Sequence, residues 1–230
     1  MARLHSHLVA ANIDFRSAID HDELPPALTR ELERTIPNSR TLWRIEEAVC
    51  SERGGYLVLT GHPGAGKTLV TASFRPTHDQ VRVVGRYFAG GYPGSDLPPA
   101  HYTDISTFAQ WLSGVAMMHS VQARALPVGA TTGEFSASIV QNLNAISASL
   151  VGDVLGVLFI DGIDSSPSNS PFHFLDYLPA DPPHGLVIVI TTRDFSALAR
   201  RFEQIQTSCP IETFPLPLYD CEWLLSRRFG

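Results

Sequence analysis

The sequence predicts an α/β protein of three layers, in which a central, mainly parallel five-stranded sheet carries helices on both faces. Five short apolar runs, each bounded by turn residues, alternate with stretches of helical spacing along the 230 residues. This alternation is typical of strands joined by crossover helices. Four runs are almost continuously apolar, which predicts strands buried on both faces. The predicted strands cover 55–60, 81–88, 154–160, 186–191 and 211–216, and Pro215 favours an edge position for the last.

The segments between the strands predict the helices. Apolar residues recur at the three- and four-residue spacing of amphipathic helices. A short helix is expected to open at Gly66 and to be ended by Pro76. In another, Asp104 is the expected N-cap, and Met117 and Met118 are expected in the core. The remaining predicted helices cover 39–53, 104–121, 134–150, 195–206 and 220–228.

Composition and charge exclude several classes of protein. Apolar residues make up 44% of the chain, which is typical of a globular fold and not of a disordered chain. No apolar run approaches the roughly 20 residues that span a bilayer. The N-terminus lacks a clear signal peptide, and the three cysteines show no CxxC spacing, so a cytoplasmic protein without a membrane partner is expected. The net charge of −6 argues against a nucleic-acid partner.

Lys67 is the only lysine among 17 basic residues, and the others are all arginine. A general arginine bias is most simply an effect of genome composition, so the surviving lysine raises the question of what arginine could not do at this position. Lys67 lies in the stretch GHPGAGKT, which satisfies the pattern GxxxxGK[ST] between a predicted strand and a predicted helix. A compact ammonium on a flexible stem fits inside a ring of backbone amides, whereas a forked guanidinium would crowd it.

This stretch predicts a phosphate-binding loop, the P-loop. Glycines let the backbone wrap around a polyphosphate, and the amides at the start of the helix donate to it. Lys67 is expected to reach the β- and γ-phosphates, and the Thr68 hydroxyl is expected to bind Mg²⁺. The alternative is a glycine-rich turn without a ligand. The predicted nucleotide-binding residues are Gly61, His62, Pro63, Gly64, Ala65, Gly66, Lys67, Thr68 and Leu69, with the His62 side chain pointing outward.

A P-loop predicts a second motif, in which an apolar strand ends in an aspartate that holds Mg²⁺. The stretch VLFIDGID supplies it, and Asp161 is the expected metal-side carboxylate. The alternative is an aspartate that caps the following turn. In many ATPases that contain these two motifs, a glutamate follows this aspartate and polarises the attacking water, but here Gly162 occupies that position. Asp164 is therefore the expected base and slow hydrolysis is expected, although a solvated loop carboxylate remains the alternative.

The third motif, VIVITTRD, brings two hydroxyls and an arginine to the carboxyl end of a predicted strand. Ligands of open α/β sheets bind at that edge. Arg193 is expected to sense the γ-phosphate, and Thr191 or Thr192 to bind the attacking water. The alternative for Arg193 is a surface ion pair with Asp164 or with Asp194.

These three motifs together resemble the STAND class of signalling P-loop NTPases, in particular its NACHT-like and related bacterial branches. The resemblance rests on GHPGAGKT, on the form hhhhDGxD of the second motif, and on a proline-rich approach to the strand that ends in TTRD. The stretch SRTLWRIEEAV is similar to the segment that lies near the adenine, which implies a contact for Arg40. The stretch FPLPLYDCEWLLSRRF is similar to the start of the helical lid.

The resemblance implies a switch that ADP holds closed and ATP opens, with ATP, ADP and Mg²⁺ as cofactors. It divides the chain into an N-terminal extension (1–35), a P-loop NTPase core (36–217) and the start of a truncated lid (218–230). The expected partners are a second copy of the chain or winged-helix, repeat and effector domains beyond it. The expected activity is a low basal ATPase. The alternative function is a constitutively active, AAA-like ATPase that acts on nucleic acid or protein.

Overall fold

The structure is a computed structural model that describes residues 24, 26–33, 39–51, 53–90, 102–127, 129–165, 174–193 and 211–212. The helices in these residues are α1 (Pro26–Glu33), α2 (Ser39–Ser51), α3 (Lys67–Ser73), α4 (Ile105–His119) and α5 (Thr132–Ser149). The strands are β1 (Gly55–Thr60), β2 (Val81–Phe88), β3 (Leu155–Asp161), β4 (Leu186–Thr192) and β5 (Ile211–Glu212). Single 3₁₀ turns cover Ile163–Ser165 and Phe174–Tyr177.

The strands form one parallel sheet in the order β2-β3-β4-β1-β5. The prediction of an α/β fold with a parallel sheet is confirmed for four full strands. Five full strands are not confirmed, because β5 is only a two-residue pairing with Leu59 and Thr60. Residues 213–216 and the predicted helices over 195–206 and 220–228 lie outside the described residues.

Helices cover both faces of the sheet, as predicted. Successive side chains of a strand point to opposite faces, and all seven residues of β4 are buried. On one face, α4 and α5 pack against Val58, Leu158, Ile160, Ile188 and Ile190. On the other face, α2 and α3 pack against Leu57, Leu59, Val157, Phe159, Val187 and Val189. The strands are therefore continuously apolar because each lies between two helical layers.

The helix α1 also belongs to this packed unit. Its Leu28 is buried against Ala72 of α3 and Phe88 of β2, and Leu69 packs at the margin of this cluster. The predicted boundary between an extension and the core at residue 36 stays a prediction, but α1 lies against the helix that follows the P-loop.

Arg86 of β2 fixes the carboxyl end of α3. Its guanidinium donates through Nε to the Thr71 carbonyl at 2.9 Å and through Nη2 to the Phe74 carbonyl at 2.7 Å, and it lies 6.0 Å from the centre of the Phe159 ring. These carbonyls have no partner within the helix, and a cation is favoured at this end of the helix dipole. Hence α3 is held against β2 and β3 at the end opposite to Lys67.

Local capping explains where the long helices begin. The Asp104 side chain accepts from the Ser106 amide at 2.8 Å, which confirms the predicted N-cap of α4. The helix α5 begins two residues before the prediction because Thr131 and Glu134 form a reciprocal capping box.

Met117 and Met118 are 51% and 45% exposed, so the prediction that they lie in the core is wrong. They lie on the side of α4 that faces away from the buried Leu112, Val115 and Ala116, while His119 of the same turn contacts the Val84 carbonyl of β2. No described helix is both long and apolar enough to cross a membrane.

Glu46 of α2 is a buried carboxylate that organises the connection between α3 and β2. It accepts hydrogen bonds from the Thr77 amide, from the Thr77 hydroxyl at 2.8 Å and from the His78 amide at 2.8 Å. Burial raises the pKa of Glu46, but the hydrogen bonds from His78 and Thr77 outweigh it and hold the pKa below its ordinary value. The ionised form is therefore the one that the fold stabilises.

A carboxyl group whose pKa is lower in the folded state adds stability above its unfolded pKa, and this stability is lost as the pH falls through the folded pKa. We therefore expect Glu46→Gln to lower the free energy of unfolding by about 1–3 kcal/mol at pH 7. The deficit should shrink between about pH 5 and pH 3, where wild-type Glu46 becomes protonated. Urea unfolding across this range measures both effects. Glu47→Gln, at the exposed neighbouring position, is the matched control and should be near neutral. A deficit that did not change with pH would contradict the account.

Candidate functional site

The candidate site lies at the carboxyl ends of β1, β3 and β4. The chain leaves β1 toward the β2 edge of the sheet, whereas it leaves β4 toward β5 on the other side of β1. A crevice therefore opens between the ends of these neighbouring strands, where ligands of open α/β sheets bind. The P-loop follows β1, and the polar side chains of the second and third motifs lie on or just after β3 and β4.

The P-loop is shaped by a turn that its sequence explains. The Ala65 amide donates to the His62 carbonyl at 3.1 Å, and Gly64 has φ +79° at the third position of this turn. Glycine at the third position meets the positive φ of a type II turn, and proline is common at the second position. His62 is exposed, as predicted.

The Lys67 side chain lies back over this loop. Its Nζ donates to the Gly61 carbonyl at 2.6 Å and to the His62 carbonyl at 3.1 Å. Burial lowers the pKa of Lys67, while the charges of Asp161 and Asp164 act in the opposite direction. The ammonium group is thus placed by the loop that carries it, in the field of both carboxylates of the second motif.

Asp161 ends β3 and is 2% exposed. Its Oδ2 accepts from the Thr68 hydroxyl at 2.7 Å, and its Oδ1 accepts from the Thr191 hydroxyl at 2.6 Å. Burial raises the pKa of Asp161, and the hydrogen bonds from Thr191 and Thr68 and the charge of Lys67 limit the rise. Thr68 and Asp161, the two side chains predicted to hold a metal, are therefore in direct contact.

Asp164 is also brought into the site. Its Oδ1 accepts from the Thr192 hydroxyl at 2.6 Å, and its Oδ2 accepts from the Arg193 backbone amide. The end of β4 therefore binds Asp161 through Thr191 and Asp164 through Thr192. The exposed Arg193 contributes to the electrostatic field at Lys67, where its charge lowers the pKa of the ammonium.

Gly162 explains why glutamate does not follow Asp161. It has φ +74°, a left-handed conformation that side chains disfavour. In this conformation its amide donates to the Thr191 hydroxyl at 2.9 Å. A glutamate at this position would either be strained or lose that hydrogen bond. The turn therefore places a carboxylate two residues further on, at Asp164.

The donor set at Thr68 and Asp161 fits Mg²⁺, which prefers hydroxyl, carboxylate and phosphate oxygens and keeps several waters. Within the described residues, no group of three or more His, Cys, Asp or Glu side chains could hold a metal ion. Thr68 and Asp161 would supply one hydroxyl and one carboxylate ligand to such a cation.

Two of the predicted site residues lie apart from these hydrogen bonds. Arg40 is exposed in the first turn of α2, and its contact with adenine stays a prediction. Leu69 is partly buried against the α1 cluster. The sequence left open whether Thr191 or Thr192 binds water, and it did not predict that Thr191 holds Asp161. A signal was present, because Thr191 continues a fully buried strand in which a hydroxyl requires a partner.

The sheet is parallel, the P-loop follows β1, Lys67 and Thr68 begin α3, and a buried aspartate ends β3. This arrangement is consistent with the P-loop NTPase fold. No protein-family profile matches the sequence, and no curated protein matches it. Among solved structures, the chain is similar to the ORC1 protein of Aeropyrum pernix, which was solved in complex with DNA. The TM-score is 0.47 and the identity 17%, over 86% of this chain and 50% of that chain. The chain thus spans about half the length of that protein.

The similarity to ORC1 corrects one prediction. The net charge of −6 argued against a nucleic-acid partner. The ORC1 protein, to which this chain is similar, was solved in complex with DNA, and the prediction that nucleic acid is an unlikely partner is wrong as a deduction from overall charge. Local charge on one surface can support such a contact whatever the total.

The conformation of Gly162 gives a test of the second motif. Gly162→Ala should lower the free energy of unfolding by roughly 1–2 kcal/mol, since alanine is strained at φ +74°. Gly133→Ala, in the first turn of α5, is the matched control. A Cβ there meets no atom within 4 Å and φ is not positive, so this change should be neutral or slightly stabilising. Chemical unfolding of both variants measures the difference. If Gly162→Ala and Gly133→Ala had equal free energies of unfolding, the turn at Gly162 would accept a side chain without strain, and the account would be wrong.

Proposed function

We propose that the chain is an ATP-binding module that hydrolyses ATP slowly or conditionally and acts as a switch in a STAND- or NACHT-like signalling or defence protein. The observation that carries the proposal is the hydrogen bond between Thr68 and Asp161 beside the ammonium of Lys67. Three elements, β1, α3 and β3, place a cation, a hydroxyl and a carboxylate at one point. These are the groups that a Mg²⁺·triphosphate requires.

Each group has a role that its contacts support. The backbone of residues 61–69 and Lys67 would bind the phosphates, and Thr68 and Asp161 would hold Mg²⁺. The Lys67 ammonium exchanges its bonds to the Gly61 and His62 carbonyls for bonds to phosphate oxygens. When bound, Mg²⁺ neutralises phosphate charge and orients the transferred phosphoryl group.

Slow hydrolysis follows from how Asp164 is held. Both of its carboxylate oxygens already accept a hydrogen bond, from the Thr192 hydroxyl and from the Arg193 amide. Each oxygen that accepts one of these bonds has one lone pair fewer to receive the proton of the attacking water. A shift of the end of β4 that releases one of these bonds would free Asp164 to act as the base. A partner that moves β4 would then control the rate.

A switch must pass the exchange of nucleotide on to other parts of the protein or to a partner. The exchange of ADP for ATP would add negative charge next to Arg193, and Thr192 and Asp164 would transmit the effect of this charge to the end of β4. Self-association, or winged-helix, repeat and effector domains in a longer protein, would convert the change into a signal. The chain carries the nucleotide-dependent part of such a mechanism.

Nucleotide binding tests the proposal directly. We expect ATP and ADP to bind in the presence of Mg²⁺, and Lys67→Met to weaken binding by about 100-fold, because the P-loop loses a charge-assisted contact to phosphate. Isothermal titration calorimetry gives the Kd of each variant. Arg82→Met, which removes an exposed cation from the same sheet, is the matched control and should bind as the wild type does. Equal Kd values for wild type and Lys67→Met would disprove the proposal.

The basal rate of ATP hydrolysis distinguishes the proposed switch from the alternative function, a constitutively active, AAA-like ATPase. We expect a basal rate well below the roughly 10 s⁻¹ that is typical of enzymes. Asp164→Asn should lower this rate a further tenfold or more while the Kd for ATP stays within about threefold. Phosphate release measures the rate, and Asp153→Asn in an exposed turn is the control. A high basal rate that Asp164→Asn abolishes would instead support the constitutive ATPase.

A further inference from the structure

Thr191 uses its hydroxyl twice. The hydroxyl donates to Asp161 Oδ1 at 2.6 Å and accepts from the Gly162 amide at 2.9 Å. The side chain is fully buried, and its hydroxyl is engaged as a donor to one of these partners and as an acceptor from the other. Its contacts are with the candidate metal carboxylate and with the peptide that follows it.

The two oxygens of Asp161 have different kinds of partner. Oδ2 is bound by Thr68, a hydroxyl that would itself be a metal ligand through its oxygen lone pairs while it donates to Asp161. Oδ1 is bound by Thr191, which has no such second role. The bond to Thr191 can therefore persist whether or not a cation is present, and it leaves Oδ2 as the oxygen available to the metal.

The main chain alone does not supply this link. The pairing of β3 with β4 ends at Ile160 and Ile190, one residue before Asp161 and Thr191. On its other side Thr191 pairs with Leu59 of β1, the strand that leads into the P-loop. The hydroxyl therefore ties the Asp161 carboxylate to the P-loop strand where the backbone ladder has ended.

We propose that Thr191 is a positioning residue that fixes the Asp161 carboxylate for Mg²⁺ bound with the nucleotide. The inference rests on the proposed function, because it concerns the same site. The connections form a closed ring from β1 through the P-loop to Thr68, across to Asp161, and back through Thr191 to β1. A group that both donates and accepts is required at this position, so valine, which has the same shape, cannot replace threonine.

The test measures how much Mg²⁺ strengthens nucleotide binding. The Kd for ADP is measured by calorimetry in Mg²⁺ and in EDTA for wild type, Thr191→Val and Thr191→Ser. The ratio of the two Kd values should fall by about tenfold or more in Thr191→Val and be retained in Thr191→Ser, since groups that orient a metal ligand change metal affinity by about 10–100-fold. The Kd in EDTA should stay within about threefold, because Thr191 does not touch the nucleotide.

Thr71→Val is the matched control for removing a buried hydroxyl. Thr71 is fully buried in α3, and its hydroxyl has no hydrogen-bond partner in the part of the chain that the structure describes. Thr71→Val should keep the wild-type ratio. A general loss of stability would weaken binding equally in Mg²⁺ and in EDTA, whereas a positioning role changes the ratio alone.

The possible outcomes are separable. A wild type that binds no nucleotide would overturn both this inference and the proposed function. If Mg²⁺ strengthens ADP binding to the wild type and Thr191→Val shows the same ratio of Kd values in EDTA and in Mg²⁺, the inference is overturned and the proposed function stays intact. If Thr191→Val does not fold, Thr191→Ala, which also removes the donor and the acceptor, replaces it. An unchanged ratio in Thr191→Ala would then overturn the inference as well.

Discussion

A buried carboxylate must find hydrogen-bond donors within the protein, and the candidate site depends on how this constraint is met at Asp161. Its two donors come from separate elements, Thr68 at the start of α3 and Thr191 at the end of β4. The surrounding arrangement is fixed by the need to bring these donors to one point. The parallel sheet does so by aligning the ends of β1, β3 and β4, and Arg86 holds the far end of α3 against that sheet.

Much of this arrangement could be predicted from the local sequence, for physical reasons that can be identified. The strands β1 and β2 have the predicted limits because apolar runs between two helical layers end sharply at turn residues. The P-loop is specific because glycine, proline and lysine each meet a separate geometric requirement. The start of α5 was misplaced by two residues because a capping box depends on side-chain hydrogen bonds that apolar spacing does not reveal. The exposure of Met117 depends on which face of α4 packs on the sheet, which is a tertiary property.

The same limit applies inside the site. Sequence order indicated that Asp161, Asp164, Thr191 and Thr192 would meet, because the carboxyl ends of parallel strands share one edge. It could not indicate which hydroxyl binds which carboxylate, since that depends on a register between β3 and β4 that only the folded sheet defines. The pairing is one-to-one, and Gly162 makes it possible by turning its amide back to Thr191. The absence of a glutamate, which looks like a defect in the sequence, is a consequence of this turn.

The packing of α1 on α3 has a mechanical consequence. Leu28 lies against Ala72, one turn of helix beyond the residues that would hold phosphate and metal. Because the far end of α3 is also bonded to β2 by Arg86, α1 packs on a helix whose position on the sheet is already fixed. A change in the packing of α1 would therefore be separated from Lys67 and Thr68 by little more than one turn of helix.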